Sequence, residues 1–168
     1  CCSEWKIKKF ANKLKEMVAV LLDVPTSRME ELDFKETPLP PQWSIWVEGE
    51  EDSLFEVSIT PRMFLQIIGT DVCRRLHPNV WVNSLMDSYE ENSKWIVTDT
   101  RFPNELAAVK AAGGISIYIE RETPFEDSHL SETAFEDKSD FDYIIDNNGD
   151  LDSLISELTY ILSNEGII

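Results

Sequence analysis

The sequence predicts an α/β domain, with parallel strands covered by helices. Three observations carry that expectation. Short apolar, β-branched runs occur at Trp95-Ile96-Val97 and over residues 115–120, too short for helices. Apolar residues at three- and four-residue steps flank them on either side. The order strand, helix, strand, then strand and helix demands crossover connections, which parallel sheets use.

The elements follow in order. Trp5, Ile7, Phe10, Leu14, Val18 and Leu21 predict one long helix over residues 3–23, capped by Ser3 and ended by Pro25. Residues 26–41 are polar and proline-bearing, a loop or short helical excursion. Two strands around an acidic turn are expected within a hairpin insertion over residues 42–60. Thr60-Pro61 starts a second helix, because threonine caps and proline suits the first helical position. Gly69-Thr70-Asp71 is expected to interrupt that helix, and Pro78-Asn79 to begin another. A strand at 95–98 and an alanine-rich helix at 103–112 end at Gly113-Gly114. A strand at 115–120, a lid-like acidic loop over 122–142, a short strand at 143–145 and a helix at 151–163 complete the chain.

With 168 residues, 42% of them hydrophobic and 10% aromatic, a single folded domain over 1–168 is expected. No apolar run approaches the ~18 residues of a membrane span. The net charge of −17 argues against a nucleic-acid partner, which would need a basic footprint. Cys1, Cys2 and Cys73 show no C-x-x-C spacing, so free thiols in a reducing cytoplasm are expected. Against this acidic background Arg62, Arg74, Arg75, Arg101 and Arg121 draw notice, because a small anion needs positive charge only locally. Lys6, Lys8, Lys9 and Lys13 read as a solvated face.

Three constellations carry chemistry. Asp99-Thr100-Arg101 sits at a strand's C-terminal end, where open α/β sheets place ligands. Asp99 there suits a Mg²⁺-bound water, and Arg101 a phosphate. Arg62, Gln66 and Gly69 are spaced to share a helical face, and Gln66 has the paired donor and acceptor that read a nucleobase. Gly69 would permit close approach of a ligand or backbone. His129-Leu130-Ser131-Glu132 lies in the acidic loop and suits a lid over a phosphoryl-transfer site.

In this order the pieces resemble the phage deoxynucleoside monophosphate kinase family and, more distantly, animal phosphomevalonate kinases. They are Phe10-Ala11, Leu14-Lys15-Glu16, Arg62, Gln66, Gly69-Thr70-Asp71, Trp81-Val82, Asp99-Thr100-Arg101-Phe102, Asn104-Glu105, Arg121, His129, Ser131-Glu132 and Asn147-Asn148-Gly149. The resemblance implies a P-loop kinase-like parallel sheet flanked by helices. It also implies transfer of the ATP γ-phosphoryl group, with Mg²⁺, to a small-molecule nucleotide. Lys15, Arg74 or Arg75, and Arg101 would lie near the acceptor phosphate, and Arg62 and Gln66 near the base or sugar. Asp99 and Arg101 would form the catalytic pair, while Arg121, His129 and Glu132 would act as lid elements near ATP.

The family's G-x-x-x-x-G-K-[ST] loop occurs nowhere in the sequence. The expectation is therefore an N-terminally shortened piece without the first strand and P-loop, weak or inactive as it stands. Its open sheet edge would favour a homodimer. Two alternatives stay open: a non-catalytic nucleotide-binding or regulatory domain, and a phosphomevalonate kinase-like enzyme. A structural protein keeping only the fold is a third. Gln66 and the short hairpin favour the nucleotide.

Overall fold

A computed structural model describes residues 4–49, 53–122, 135 and 137–168. They form two compact units, residues 1–100 and 101–168.

The first unit opens with strand β1 (Lys6–Lys8), not with helix. Ile7 alternates with lysines here, a two-residue period that the longer helical pattern masks. Helix α1 starts only at Asn12 (Asn12–Leu21). The expected cap Ser3 lies outside the described residues. A 3₁₀ turn (Thr26–Glu30) and the short helix α2 (Leu32–Glu36) follow. After a further 3₁₀ turn, strands β2 (Ile45–Glu48) and β3 (Leu54–Val57) pair antiparallel, as the hairpin reading expected.

Helix α3 (Pro61–Gln66) begins at Thr60, whose hydroxyl accepts from Met63 N at 3.2 Å. Gly69-Thr70-Asp71 does not interrupt the helix. The chain continues through Ile67–Arg74 as a π-helix, a widened turn that keeps the backbone bonded. Helix α4 (Val80–Met86) and strand β4 (Trp95–Val97) complete the unit, with β4 parallel to β1. Its core is Phe10, Leu14, Val18, Ala19, Met29, Ile59 and Trp81.

In the second unit, α5 (Pro103–Ala111) ends at Gly113, whose φ of +78° suits a residue without a Cβ. Strands β5 (Ile117–Glu120) and β6 (Tyr143–Asp146) pair in parallel, and α6 (Leu151–Asn164) follows. Asp150 caps α6 by accepting from Ser153 N at 2.8 Å. Ile145 and Ile161 are buried here, with Leu106 of α5. The chain is thus α/β, with small parallel sheets and accompanying helices in both units. No helix among the described residues is long and apolar enough to cross a membrane.

Candidate functional site

A basic cluster forms in the first unit, on elements the core already holds together. Lys15, on α1, and Lys9, just before it, both donate to Glu30 Oε1, at 2.9 and 3.1 Å. Arg62, in the first turn of α3, donates through Nε to Glu36 Oε1 of α2 at 2.5 Å. Lys35 is the neighbour of Glu36 and lies in the field of Arg62 and Lys15. Four cations thus gather around two carboxylates, in a chain whose net charge is −17.

The protonation equilibria reflect this crowding. The Lys15 ammonium, assisted by Lys9, holds the Glu30 carboxyl below its usual range. Partial burial pushes the Lys35 ammonium down, and the like charges of Arg62 and Lys15 push it further.

Asp99 follows β4 and fixes the entry to this cluster. Its two carboxylate oxygens accept from Phe10 N at 2.8 Å and Ala11 N at 3.0 Å. The two amides point out of the turn that joins β1 to α1. A carboxylate there satisfies donors that the helix start leaves open and complements the helix dipole. The spacing between Lys9 and Lys15 across that turn therefore depends on Asp99.

Gly69 is used by the protein itself. A Cβ on it would stand 2.6 Å from Leu14 Cδ2, so the small residue admits a core leucine of α1. Its carbonyl accepts the buried Trp81 indole N–H at 2.9 Å. Gln66 lies one turn beyond Arg62, at the end of α3 where the π-helix begins. Arg74, at the far end of the π-helix, donates to the Pro78 carbonyl at 3.3 Å, and Arg75 is exposed. Lys15 and Arg62 are therefore brought into one cluster, with Gln66 next to it on α3.

In the second unit Arg101 is exposed, and its backbone is held by a buried carboxylate. Glu105, 2% exposed, accepts from Arg101 N at 2.8 Å and Phe102 N at 3.1 Å. Arg121 follows β5. The turn after β6 braces that strand end: Asn147 N donates to Glu120 O at 2.7 Å, and Asn148 Oδ1 accepts from Glu122 N at 2.9 Å. His129 and Glu132 lie outside the described residues.

Among the described residues no group of three or more His, Cys, Asp or Glu side chains is arranged to hold a metal ion. Each Asp99 oxygen keeps a further lone pair beside its N–H bond. That donor set fits a Mg²⁺ held mainly by substrate phosphates, not one held by protein alone. A surface groove of about 310 Å³ lies elsewhere, between Glu4, Lys6 and residues 90–94. It sits at the N-terminal ends of β1 and β4, opposite the end where parallel sheets place ligands.

Lys35, Glu30 and Glu36 were not singled out by sequence reasoning, and Lys9 was read as surface. Lys35 sits in no motif. Only the packing of α2 beside α3 and the 3₁₀ turn brings it to the cluster.

Comparison with known proteins places these observations in a wider group. The family model for deoxynucleotide monophosphate kinase matches residues 42–158. The deoxynucleoside-5′-monophosphate kinase of Escherichia phage T5 is 40% identical over 75 residues, covering 43% of this chain and 30% of the relative. A provisionally named deoxynucleotide monophosphate kinase of Acanthamoeba polyphaga mimivirus is 28% identical over 120 residues, 62% of either chain. The deoxynucleotide monophosphate kinase of Escherichia phage RB69 is 31% identical over 108 residues, covering 60% of this chain and 44% of the relative. The chain spans about a third to three fifths of the length of these relatives.

Proposed function

The chain belongs to the deoxynucleotide monophosphate kinase family, and from that premise we propose that its first unit carries the acceptor side of phosphoryl transfer to a deoxynucleoside monophosphate. One observation carries this reading: the gathering of Lys9, Lys15, Lys35 and Arg62 in an acidic chain. A monophosphate entering there would meet gathered positive charge in a chain of net charge −17, and would compete with Glu30 and Glu36 for it. Arg62 suits a bidentate grip on phosphate, and Lys15 acts as a point charge. Gln66, one turn along α3, is placed to contact the sugar or base.

Asp99 positions rather than reacts in this scheme. By holding Phe10 N and Ala11 N it sets where Lys9 and Lys15 stand. Catalysis of this class is mostly positioning and charge neutralisation, so such a brace matters for rate. ATP and Mg²⁺, when bound, supply the transferred phosphoryl group and shield its charge. Arg121, His129 and Glu132 are proposed to serve that side, and Arg101 to grip the acceptor's phosphate. The described residues hold no glycine-rich phosphate cradle, and the sequence contains no G-x-x-x-x-G-K-[ST]. Acceptor binding with weak or no transfer is therefore expected of this chain, which also keeps a non-catalytic nucleotide-binding role in play. β1 and β4 pair only with each other among the described residues. Ile7 and Ile96, opposite in register, are 68% and 46% exposed, which favours pairing with a second copy.

Calorimetry with the four deoxynucleoside monophosphates tests the reading. Binding that weakens in Lys15→Met and Arg62→Met supports it. No heat with any monophosphate overturns the acceptor assignment. Brisk ATP-dependent turnover by this chain overturns the expected inactivity.

A further inference from the structure

Glu105 is a carboxylate that the scheme above leaves without a task. It stands at the third position of α5 and is only 2% exposed. Burying a carboxylate is costly unless hydrogen bonds hold its charge. One of its oxygens, Oε2, accepts from both Arg101 N at 2.8 Å and Phe102 N at 3.1 Å.

A helix cap explains only part of this arrangement. A glutamate at the third helical position commonly reaches back to the amide of the capping residue, here Phe102. That bond needs neither full burial nor a second amide one residue further back. The bond to Arg101 N is the shorter of the two, and it lies outside the helix. Pro103 adds to the restraint. The residue before a proline is kept extended, and Phe102 has φ −128° and ψ 147°. The Arg101 backbone is therefore held through its own amide and through the next residue, while its side chain stands exposed. An exposed arginine has many rotamers to lose, and a fixed backbone narrows the space that its guanidinium samples.

We propose that Glu105 is a positioning residue that acts through the Arg101 backbone and sets where the guanidinium meets the acceptor's phosphate. This assignment rests on the reading of Arg101 as a phosphate grip. Glu105 itself touches no ligand. Because both amides share one oxygen, reach matters more than charge. Glutamine can present an oxygen at the same place, whereas aspartate is one methylene too short.

The test is calorimetry on the full chain with 2′-deoxyguanosine 5′-monophosphate and with deoxyguanosine, as a double-mutant cycle of Glu105 and Arg101. Arg101→Met is expected to weaken monophosphate binding about tenfold, the scale of one lost charge-assisted bond. Glu105→Met should weaken it severalfold in the parent and have no further effect in the Arg101→Met background. Glu105→Gln should restore most of the affinity, and deoxyguanosine affinity should not change. Thermal melting establishes which variants are folded. If Glu105→Met is not, Glu105→Asp takes its place in the cycle, with the charge kept and the reach lost. No loss in the parent, equal loss in both backgrounds, equal loss for the deoxynucleoside, or no rescue by Glu105→Gln overturns the role of Glu105 and leaves Arg101 as a phosphate grip. Monophosphate binding unaltered by Arg101→Met but weakened by Lys15→Met overturns the roles of Arg101 and Glu105 together and leaves the basic cluster standing. If the parent protein binds the monophosphate no better than the deoxynucleoside, the acceptor-site reading falls, and this assignment with it.

Discussion

Asp99 illustrates how one residue acquires its role from neighbours far away in sequence. Its position at a strand end marked it as a site residue, on the general rule for parallel sheets. What its carboxylate holds became visible only with β1 beside β4, because Phe10 and Ala11 lie nearly ninety positions earlier. Asp99→Asn keeps one acceptor and turns an amide NH₂ toward the other backbone N–H. The expected loss is about 2 kcal/mol, the worth of a charged acceptor at a partly buried amide. Urea unfolding measures it, and an unchanged midpoint would contradict the bracing role. Lys35 is the opposite case: no pattern marks it, and partial burial, then Arg62 and Lys15 on other elements, set the state of its ammonium.

Among the elements, the π-helix joins sequence logic to packing most directly. Gly69 was read as a place of close approach, and close approach is what the structure shows, by Leu14 instead of a ligand. The wider turn leaves the Gly69 carbonyl available to the Trp81 indole. Gly69→Ala should cost about 1–3 kcal/mol, since the added methyl pushes on a buried leucine. In a Leu14→Ala background the added cost should shrink, and a double-mutant unfolding cycle measures the difference. Equal costs in both backgrounds would sever the link between α1 and the π-helix. In the second unit, Asp142 secures the start of β5. It accepts from Ser116 N at 2.8 Å and from the Ser116 hydroxyl at 2.7 Å, and pairs with Lys110 at 3.0 Å. These contacts, the Ser116 hydroxyl foremost, hold its carboxyl below the ordinary 3.8. A depressed carboxylate contributes stability that is present above the unfolded value and lost as pH falls through the folded one. Acid titration of stability below about pH 4 should therefore be shallower in Asp142→Asn than in the parent. Parallel curves would exclude the contribution.

For the molecule as a whole, charge dominates. A net −17 makes the folded chain repel itself, while its ion pairs are largely at the surface and individually weak. Raising salt from low to physiological strength shortens the screening length to about 8 Å and should raise the melting temperature. A fall would mean that the visible ion pairs outweigh the general repulsion. The same acidic background gives the basic cluster its contrast: Lys9, Lys15, Lys35 and Arg62 gather where α1, α2 and α3 meet.

The sequence by itself determined the α/β class, the hairpin, the strand ends and the family. These rest on local periodicity, turn chemistry and the order of motifs, all of which are written along the chain. It misread residues 3–23 as one helix because the apolar steps run on through Ile7, and only pairing with β4 selects the strand. The cluster around Glu30 was decided by tertiary structure. Ion pairs and desolvation depend on distances between residues on separate elements, and no local pattern encodes those distances. The packing of three helices and a 3₁₀ turn therefore decides which carboxylate each cation meets.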